Sequence, residues 1–360
     1  MAAIVHAMRP SEKTASAESQ RFDGLSAALL DWYSGHAREL PWRIGPGERA
    51  RGAAPDPYRV WLAEIMLQQT TVPHATRYYL DFTARWPTID ALAAAEDETV
   101  MAAWAGLGYY ARARNLLKCA RAVSELGEWP STEEGLRDLP GIGAYTAGAV
   151  AALAFGRRAA AIDGNVDRVF ARLMAAKGDW KSEKIEIAKQ VRVLVPEDRP
   201  AEFAEALMDL GATICTPKSP NCLLCPVRGW CTAQAEGNPQ RYPIKPVRKA
   251  KPVRYGEVYI VSRGGEVLTE RRPDRGLLGG MRGLPTSEWT ETGPADRLQW
   301  VPVAAETLGQ VRHVFTHFEL RLDVVCGDVV SPPPGYDWTA RSDAADALPS
   351  VFKKALKLAR

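Results

Sequence analysis

Residues 136–150 read LRDLPGIGAYTAGAV: a short helical stretch, a Pro-Gly-Ile-Gly turn, and an alanine-rich run with strong helix propensity. Glycine permits positive φ and close backbone approach. Gly141 and Gly143 can therefore present backbone N–H groups to a phosphate at the N-terminus of the second helix. A Gly-x-Gly alone would read as an ordinary packing corner between helices. The full LPGIG, running straight into a helix, favours a hairpin that presents the helix start to a phosphate.

Working outward, Asp163 stands twenty residues past Gly143 in AIDGNVDRVFARL, where on spacing alone it serves equally well as the cap of the following helix. Upstream, Asp56-Pro57 is an N-cap followed by proline at the first helical position, and opens YRVWLAEIMLQQ, which is expected to stop before Pro73. Trp61, Glu64 and Gln68 share a face at spacings of three and four, leaving Val60, Ile65 and Leu67 for other surfaces. A lone glutamate on a helix is usually solvated, so Glu64 gains interest only from its company. Residues 44–55, IGPGERARGAAP, break the pattern and read as a loop insertion.

The whole chain has 360 residues, 46% of them apolar and 25% charged, which suits two globular domains. No run is long and apolar enough for a membrane span. The first twenty residues lack the ordered regions of a secretory signal and are expected to be a disordered tail of a cytoplasmic protein. A net charge of +3 points to no partner, and two basic stretches taken alone read as a solvated face or a flexible linker, gaining weight only if other features point to DNA. Residues 106–121 carry Arg112, Arg114, Lys118 and Arg121 beside Tyr109 and Tyr110 with no acid, and 241–254 is wholly basic.

Cys215, Cys222, Cys225 and Cys231 lie in a C-x6-C-x2-C-x5-C pattern, which is ligand spacing rather than disulfide spacing. A four-iron cluster and a zinc with four thiolates both answer to it. From residue 21 to 235 the periodicity is helical. Residues 236–253 read as a basic linker. From 254 to 360 the period shifts to two, in segments such as EVYIVS and HFELRLDVVCG, and indicates a smaller α+β domain.

The ordered string LPWR at 40–43, WLAEIMLQQT at 61–70, GLGYYARARNL at 106–116, the LPGIG hairpin with Asp163, and MDLGATICTPKSPNCLLCPV at 208–227 resembles the adenine DNA glycosylases of the MutY type. These are members of the helix-hairpin-helix superfamily that includes endonuclease III. The resemblance implies a mainly α glycosylase domain with a 4Fe–4S loop at 215–231 and a NUDIX-like C-terminal domain. It implies a monomer that acts on double-stranded DNA, at the nucleoid when bound, and flips out adenine mispaired with 8-oxoguanine or guanine. By the same resemblance Glu64 is the general acid, in a pocket lined by Trp42 and Leu67. Asp163 stabilises the cationic sugar and Asn165 orders the site. Arg43 and Glu205 contact the flipped base, Gln69 and Tyr109 fill and flank the gap in the stack, and the four cysteines hold the cluster.

Where the related lyases carry a nucleophilic lysine after LPGxGx, this chain has Tyr145, so hydrolysis by water is expected. Phe315, Thr316 and His317 match the family's Phe-Ser/Thr-His loop, which is expected to probe the opposite base. In GLLGGMRGLP, however, Leu278 and Leu284 replace usual aromatics, and the glutamate-rich box of NUDIX hydrolases is missing. Two rivals stay open at this point: a glycosylase of the same fold acting on thymine or uracil mismatches, and a DNA-structure binder without catalysis.

Overall fold

The computed structural model describes residues 21–244, 250–273, 276–293, 296–301, 305–327 and 334–359. The expected tail at 1–20 and the middle of the expected linker lie outside them. The chain divides into two compact units, Met1–Asp97 with Arg114–Pro246, and Glu98–Ala113 with Val247–Arg360. No helix among the described residues is long and apolar enough to cross a membrane.

The first unit is helical, and its local signals act where they stand. Asp56 accepts the Tyr58 N–H at 2.9 Å and Pro57 opens the helix Pro57–Leu67. That helix ends at Leu67, earlier than its pattern predicts, because Gln69 takes a left-handed φ of 61°. The hairpin consists of Glu133–Arg137, a turn, and Ala144–Phe155. Gly141 has φ 76°, and a Cβ there would fall 2.6 Å from the Asn115 Cβ, so only glycine fits. Gly143 is extended at φ −90° with open space around it, and the expected need for positive φ does not arise there. Eight consecutive residues of the second hairpin helix, Thr146–Leu153, are buried; its alanines allow close approach by neighbouring helices.

Asp163 caps Gly164–Met174 by accepting the N–H groups of Asn165 and Val166. The helix Pro200–Asp209 runs on into a π-turn, Leu210–Ile214, that delivers Cys215. In that turn Gly211 lies against Asn165: a Cβ would come within 2.6 Å of the Asn165 Cβ. The inserted 44–55 segment is not all loop, since Pro46–Ala50 forms one short helix.

In the second unit, β1 (Val253–Ile260) pairs parallel with β6 (Glu319–Cys326), which pairs antiparallel with β5 (Glu306–Val314). A second sheet is built on β3 (Glu266–Arg271), flanked by β2 (Ser262–Arg263), β4 (Arg282–Gly283) and β7 (Tyr336–Ala340). The inward residues of β1 and β6, among them Val258, Ile260, Leu320, Leu322 and Val324, pack with Val351, Phe352, Ala355 and Leu356 of the helix Ser350–Leu358. The turn joining β5 to β6 carries Phe315, Thr316 and His317, closed by Phe315 N–H donating to the Phe318 carbonyl at 2.8 Å.

Candidate active site

Within the first unit a cavity of about 450 Å³ is lined by Trp42, Arg43, Glu64, Leu67, Gln69, Tyr145, Asp163, Asn165 and Glu205. One hollow therefore gathers nine residues singled out from sequence. Glu64 is 4% exposed, and its Oε2 accepts the Tyr145 hydroxyl at 2.6 Å. Burial raises its pKa to about 7, against the opposing pull of the Tyr145 hydrogen bond. Tyr145 itself is pushed well above its ordinary value, first by burial and then by the charges of Glu64 and Asp163, so its hydroxyl remains a donor. Trp61, expected on the Glu64 face, is instead fully buried against Tyr58 and Trp129. Val60 and Leu67 turn to the cavity.

Asp163 is both cap and cavity wall. Its Oδ1 accepts Asn165 N–H at 2.9 Å and Val166 N–H at 2.8 Å, and its Oδ2 accepts the Asn165 side-chain amide at 2.7 Å. Three donors at a helix N-terminus suit a carboxylate anion. The row continues: Arg168 Nη2 donates to Asn165 Oδ1 at 2.8 Å, and Arg168 Nε to the Cys215 carbonyl at 2.9 Å. Arg172, 1% exposed, donates to Cys215 Sγ at 3.2 Å and to the carbonyls of Thr216 and Pro217. Neither arginine was picked out in sequence. Their signal was a pair of cations four apart in VDRVFARLM, a stretch that is apolar apart from them and Asp167.

The four cysteines line one small hollow with Arg172 and Arg228. Four cysteine sulfurs around one hollow are the donor set that a four-iron cluster takes. Cys215, Cys222, Cys225 and Cys231 would hold that cluster, which would tie the loop together, and the nearby Arg172 and Arg228 offset thiolate charge.

At the far wall, Glu205 and Asp209 are 2% and 0% exposed. Asp209 takes Arg38 Nε at 2.6 Å and Arg43 Nη1 at 2.8 Å. Burial works against the Arg43 charge, but Glu205 and Asp209 outweigh it and hold its pKa above the ordinary value. Glu205 accepts Tyr33 Oη at 2.7 Å and Arg49 Nη2 at 3.3 Å. Tyr33, Arg38, Arg49 and Asp209 went unread in the sequence, because their partners lie far along the chain.

Gly141, Gly143 and Ala144 lie exposed at the tip of the hairpin, where the first N–H groups of Ala144–Phe155 have no partner within the helix. Gln69 and Tyr109 are exposed, and both take the left-handed φ that non-glycine residues rarely adopt. In the second unit Tyr109 Oη lies 3.2 Å from Thr316 Oγ1. Thr316 and His317 are exposed. Phe315 is half-buried against Trp289, Phe318 and His313.

Comparison with known proteins meets this geometry. Residues 62–197 match the HhH-GPD superfamily of base excision DNA repair proteins, 215–231 the iron-sulfur binding domain of endonuclease III, and 257–358 the NUDIX domain. The human adenine DNA glycosylase is 33% identical over 91% of this chain and 72% of its own length. That of Buchnera aphidicola (strain APS) is 30% identical over 83% and 85%. The chain belongs to the adenine DNA glycosylases. The adenine DNA glycosylase fold is also met in a thermostable thymine-DNA glycosylase, 27% identical with a TM-score of 0.53, which covers 61% of this chain and 99% of that one. An endonuclease III–DNA complex shares the fold at a TM-score of 0.50 and 22% identity, over 61% of this chain and 97% of that one. In this adenine DNA glycosylase, then, the Glu64 cavity, the hairpin and the cysteine loop belong to the repair and iron-sulfur parts, and the Phe315–His317 turn to the NUDIX-like part.

Proposed function

We propose that this enzyme hydrolyses the N-glycosidic bond of adenine mispaired with 8-oxoguanine or guanine, as a monomer on duplex DNA, and leaves an abasic site. The observation that carries the reading is Glu64: a buried carboxyl with a pKa raised to about 7, in the same cavity as Asp163, whose carboxyl accepts three donors. Two carboxyl groups driven to opposite roles by their surroundings are what cleavage of a glycosidic bond needs.

Adenine leaves as a neutral base only if its ring is protonated, and Glu64 delivers that proton while the Tyr145 hydroxyl fixes the carboxyl's orientation. The sugar develops positive charge as the bond stretches, and Asp163 supplies the counter-charge. Glu64, now ionised, draws a proton from the attacking water. Tyr145 has no amine with which to form an imine, so strand scission through a Schiff base does not follow. Gly141 and Gly143 hold a phosphate and Trp42 walls the base pocket. Gln69 and Tyr109 enter the stack, a use that fits their exposed, strained backbones. The turn at Phe315, Thr316 and His317 reads the opposite base.

Base release from duplexes that differ only in target and opposite base tests this directly. Adenine should leave from opposite 8-oxoguanine and guanine, thymine and uracil should stay, and borohydride should trap no covalent complex. Strand nicking that keeps pace with base release would overturn the hydrolytic assignment. Release of thymine or uracil instead of adenine would overturn the substrate.

A further inference from the structure

The segment 44–55 has no helical periodicity and looks dispensable in the sequence, yet it places an arginine in the base cavity. Pro46 opens its short helix, and the Gly45 N–H donates to Glu48 Oε2 at 3.1 Å, which caps it. Arg49 then folds back over the helix start. Its Nε donates to the Ile44 carbonyl at 3.2 Å and its Nη2 to Glu205 Oε1 at 3.3 Å. Arg43 stands 3.8 Å from the same oxygen and commits Nη1 to both oxygens of Asp209, at 2.8 and 2.9 Å. Of the two guanidiniums beside Glu205, only Arg49 is within hydrogen-bond distance.

We infer that Arg49 is a specificity-determining positioning residue: by holding Glu205 Oε1 it aims the carboxylate that selects a purine carrying an exocyclic amine over one carrying a carbonyl at the same place. The inference rests on the proposed adenine hydrolysis and names the group that holds the base-reading carboxylate. A guanidinium can only donate and an ionised carboxylate can only accept. Side by side at the cavity wall they present one donor next to one acceptor. Adenine offers the complement, an amine donor next to a ring-nitrogen acceptor, whereas guanine offers two acceptors on the corresponding edge. An oxygen where the amine belongs would face the Glu205 carboxylate, acceptor against acceptor, with the desolvation of both unrewarded. Tyr33 occupies the other oxygen of Glu205 at 2.7 Å, so Oε1 is the one left to share between Arg49 and a base.

The test compares single-turnover release of adenine and of hypoxanthine, its carbonyl counterpart, from otherwise identical duplexes opposite guanine. The full-length wild type is measured beside R49M, R49Q and R49K. The adenine-over-hypoxanthine ratio should fall about tenfold or more in R49M and R49Q, because the Glu205 carboxylate is no longer held against the amine, and R49K should restore part of it. A role confined to bracing the 44–55 segment would slow both bases equally. An unchanged ratio in R49Q, with circular dichroism matching wild type, overturns the inference while leaving adenine hydrolysis intact. If the wild type released no purine from any duplex, the proposed reaction itself would fail, a result distinct from an unchanged ratio. Should R49M fold poorly, R49Q and R49K decide the matter alone.

Discussion

The Glu64 cavity and the Phe315–His317 turn both carry polar side chains, but water reaches them differently. Glu64 and Glu205 in the cavity, and Asp209 behind its wall, are nearly sealed from solvent, and every one has a partner at hydrogen-bond distance. In the turn Thr316 and His317 stand in the open, and Thr316 Oγ1 lies 3.2 Å from another exposed hydroxyl, that of Tyr109. Buried polar groups act in a low dielectric, where a lost charge or donor is costly; exposed ones compete with water and carry little. The cavity should therefore govern whether the bond breaks at all, and the turn how well one duplex is told from another.

The largest effect is expected from Asp163→Asn, which removes the counter-charge of the developing sugar cation and should cost on the order of several kcal/mol of transition-state stabilisation. Asparagine caps a helix as well as aspartate does, so the protein should still fold. Binding of a cationic sugar mimic as tight as in wild type would contradict the role. Glu64→Gln keeps the shape but has no proton to give; single-turnover release should fall by about 10²–10⁴-fold while duplex binding persists. A rate within tenfold of wild type would remove Glu64 from the chemistry.

The same carboxyl sets a pH dependence. Because Glu64 must be protonated to act and its pKa is raised to about 7, release should slow as pH climbs through about 7. Stability follows the same sign. The folded pKa lies above the unfolded one, so the contribution of Glu64 is complete below about 4.5 and is lost as pH rises through about 7. Glu64→Gln escapes that loss, and its stability relative to wild type, measured by urea unfolding at pH 5 and pH 8, should improve at the higher pH. A constant gap would mean that Glu64 does not titrate in that window.

Between the two extremes lies the cysteine loop. Wild type purified without oxygen should be brown with about four irons, and Cys222→Ser should fold poorly and bind DNA weakly. Colourless, active protein with one zinc would refute the cluster. The smallest effect belongs to Thr316→Ala with His317→Ala, which should narrow the preference for 8-oxoguanine over guanine opposite adenine by about 1–3 kcal/mol and leave the bond-breaking groups alone. Both duplexes must be measured at one salt concentration, since phosphate contacts vary with salt. An unchanged ratio would move opposite-base reading to Gln69, Tyr109 or the sheets.

What could be read from the sequence follows the same divide between local and distant. The hairpin, the Asp56 and Asp163 caps and the cysteine spacing are short-range patterns, and each forms where its residues predict. The wall of the base pocket is not short-range. Tyr33, Arg49 and Glu205 meet across more than 150 residues, and no periodicity announces that an arginine in an irregular insertion will point inward. Helical spacing also misassigned one face. It grouped Trp61 with Glu64, but a side chain as large as Trp61 is drawn into the apolar interior beside Trp129, and the smaller Val60 and Leu67 are left to line the cavity. The parallel pairing of β1 with β6 was equally out of reach, since nearly sixty residues separate the two strands.

The row of bonds from Arg168 through Asn165 to Asp163 runs in one direction only. Arg168 has no acceptor, so Asn165 must turn its oxygen toward the guanidinium, and its nitrogen is left for Asp163. A side chain outside the cavity thus shares with Asp163 the holding of an amide inside it. Were Arg168 replaced by methionine, Asp163 alone would fix which way round Asn165 faces. The loss would be one of the two anchors of a single side chain, with every residue of the cavity itself still in place.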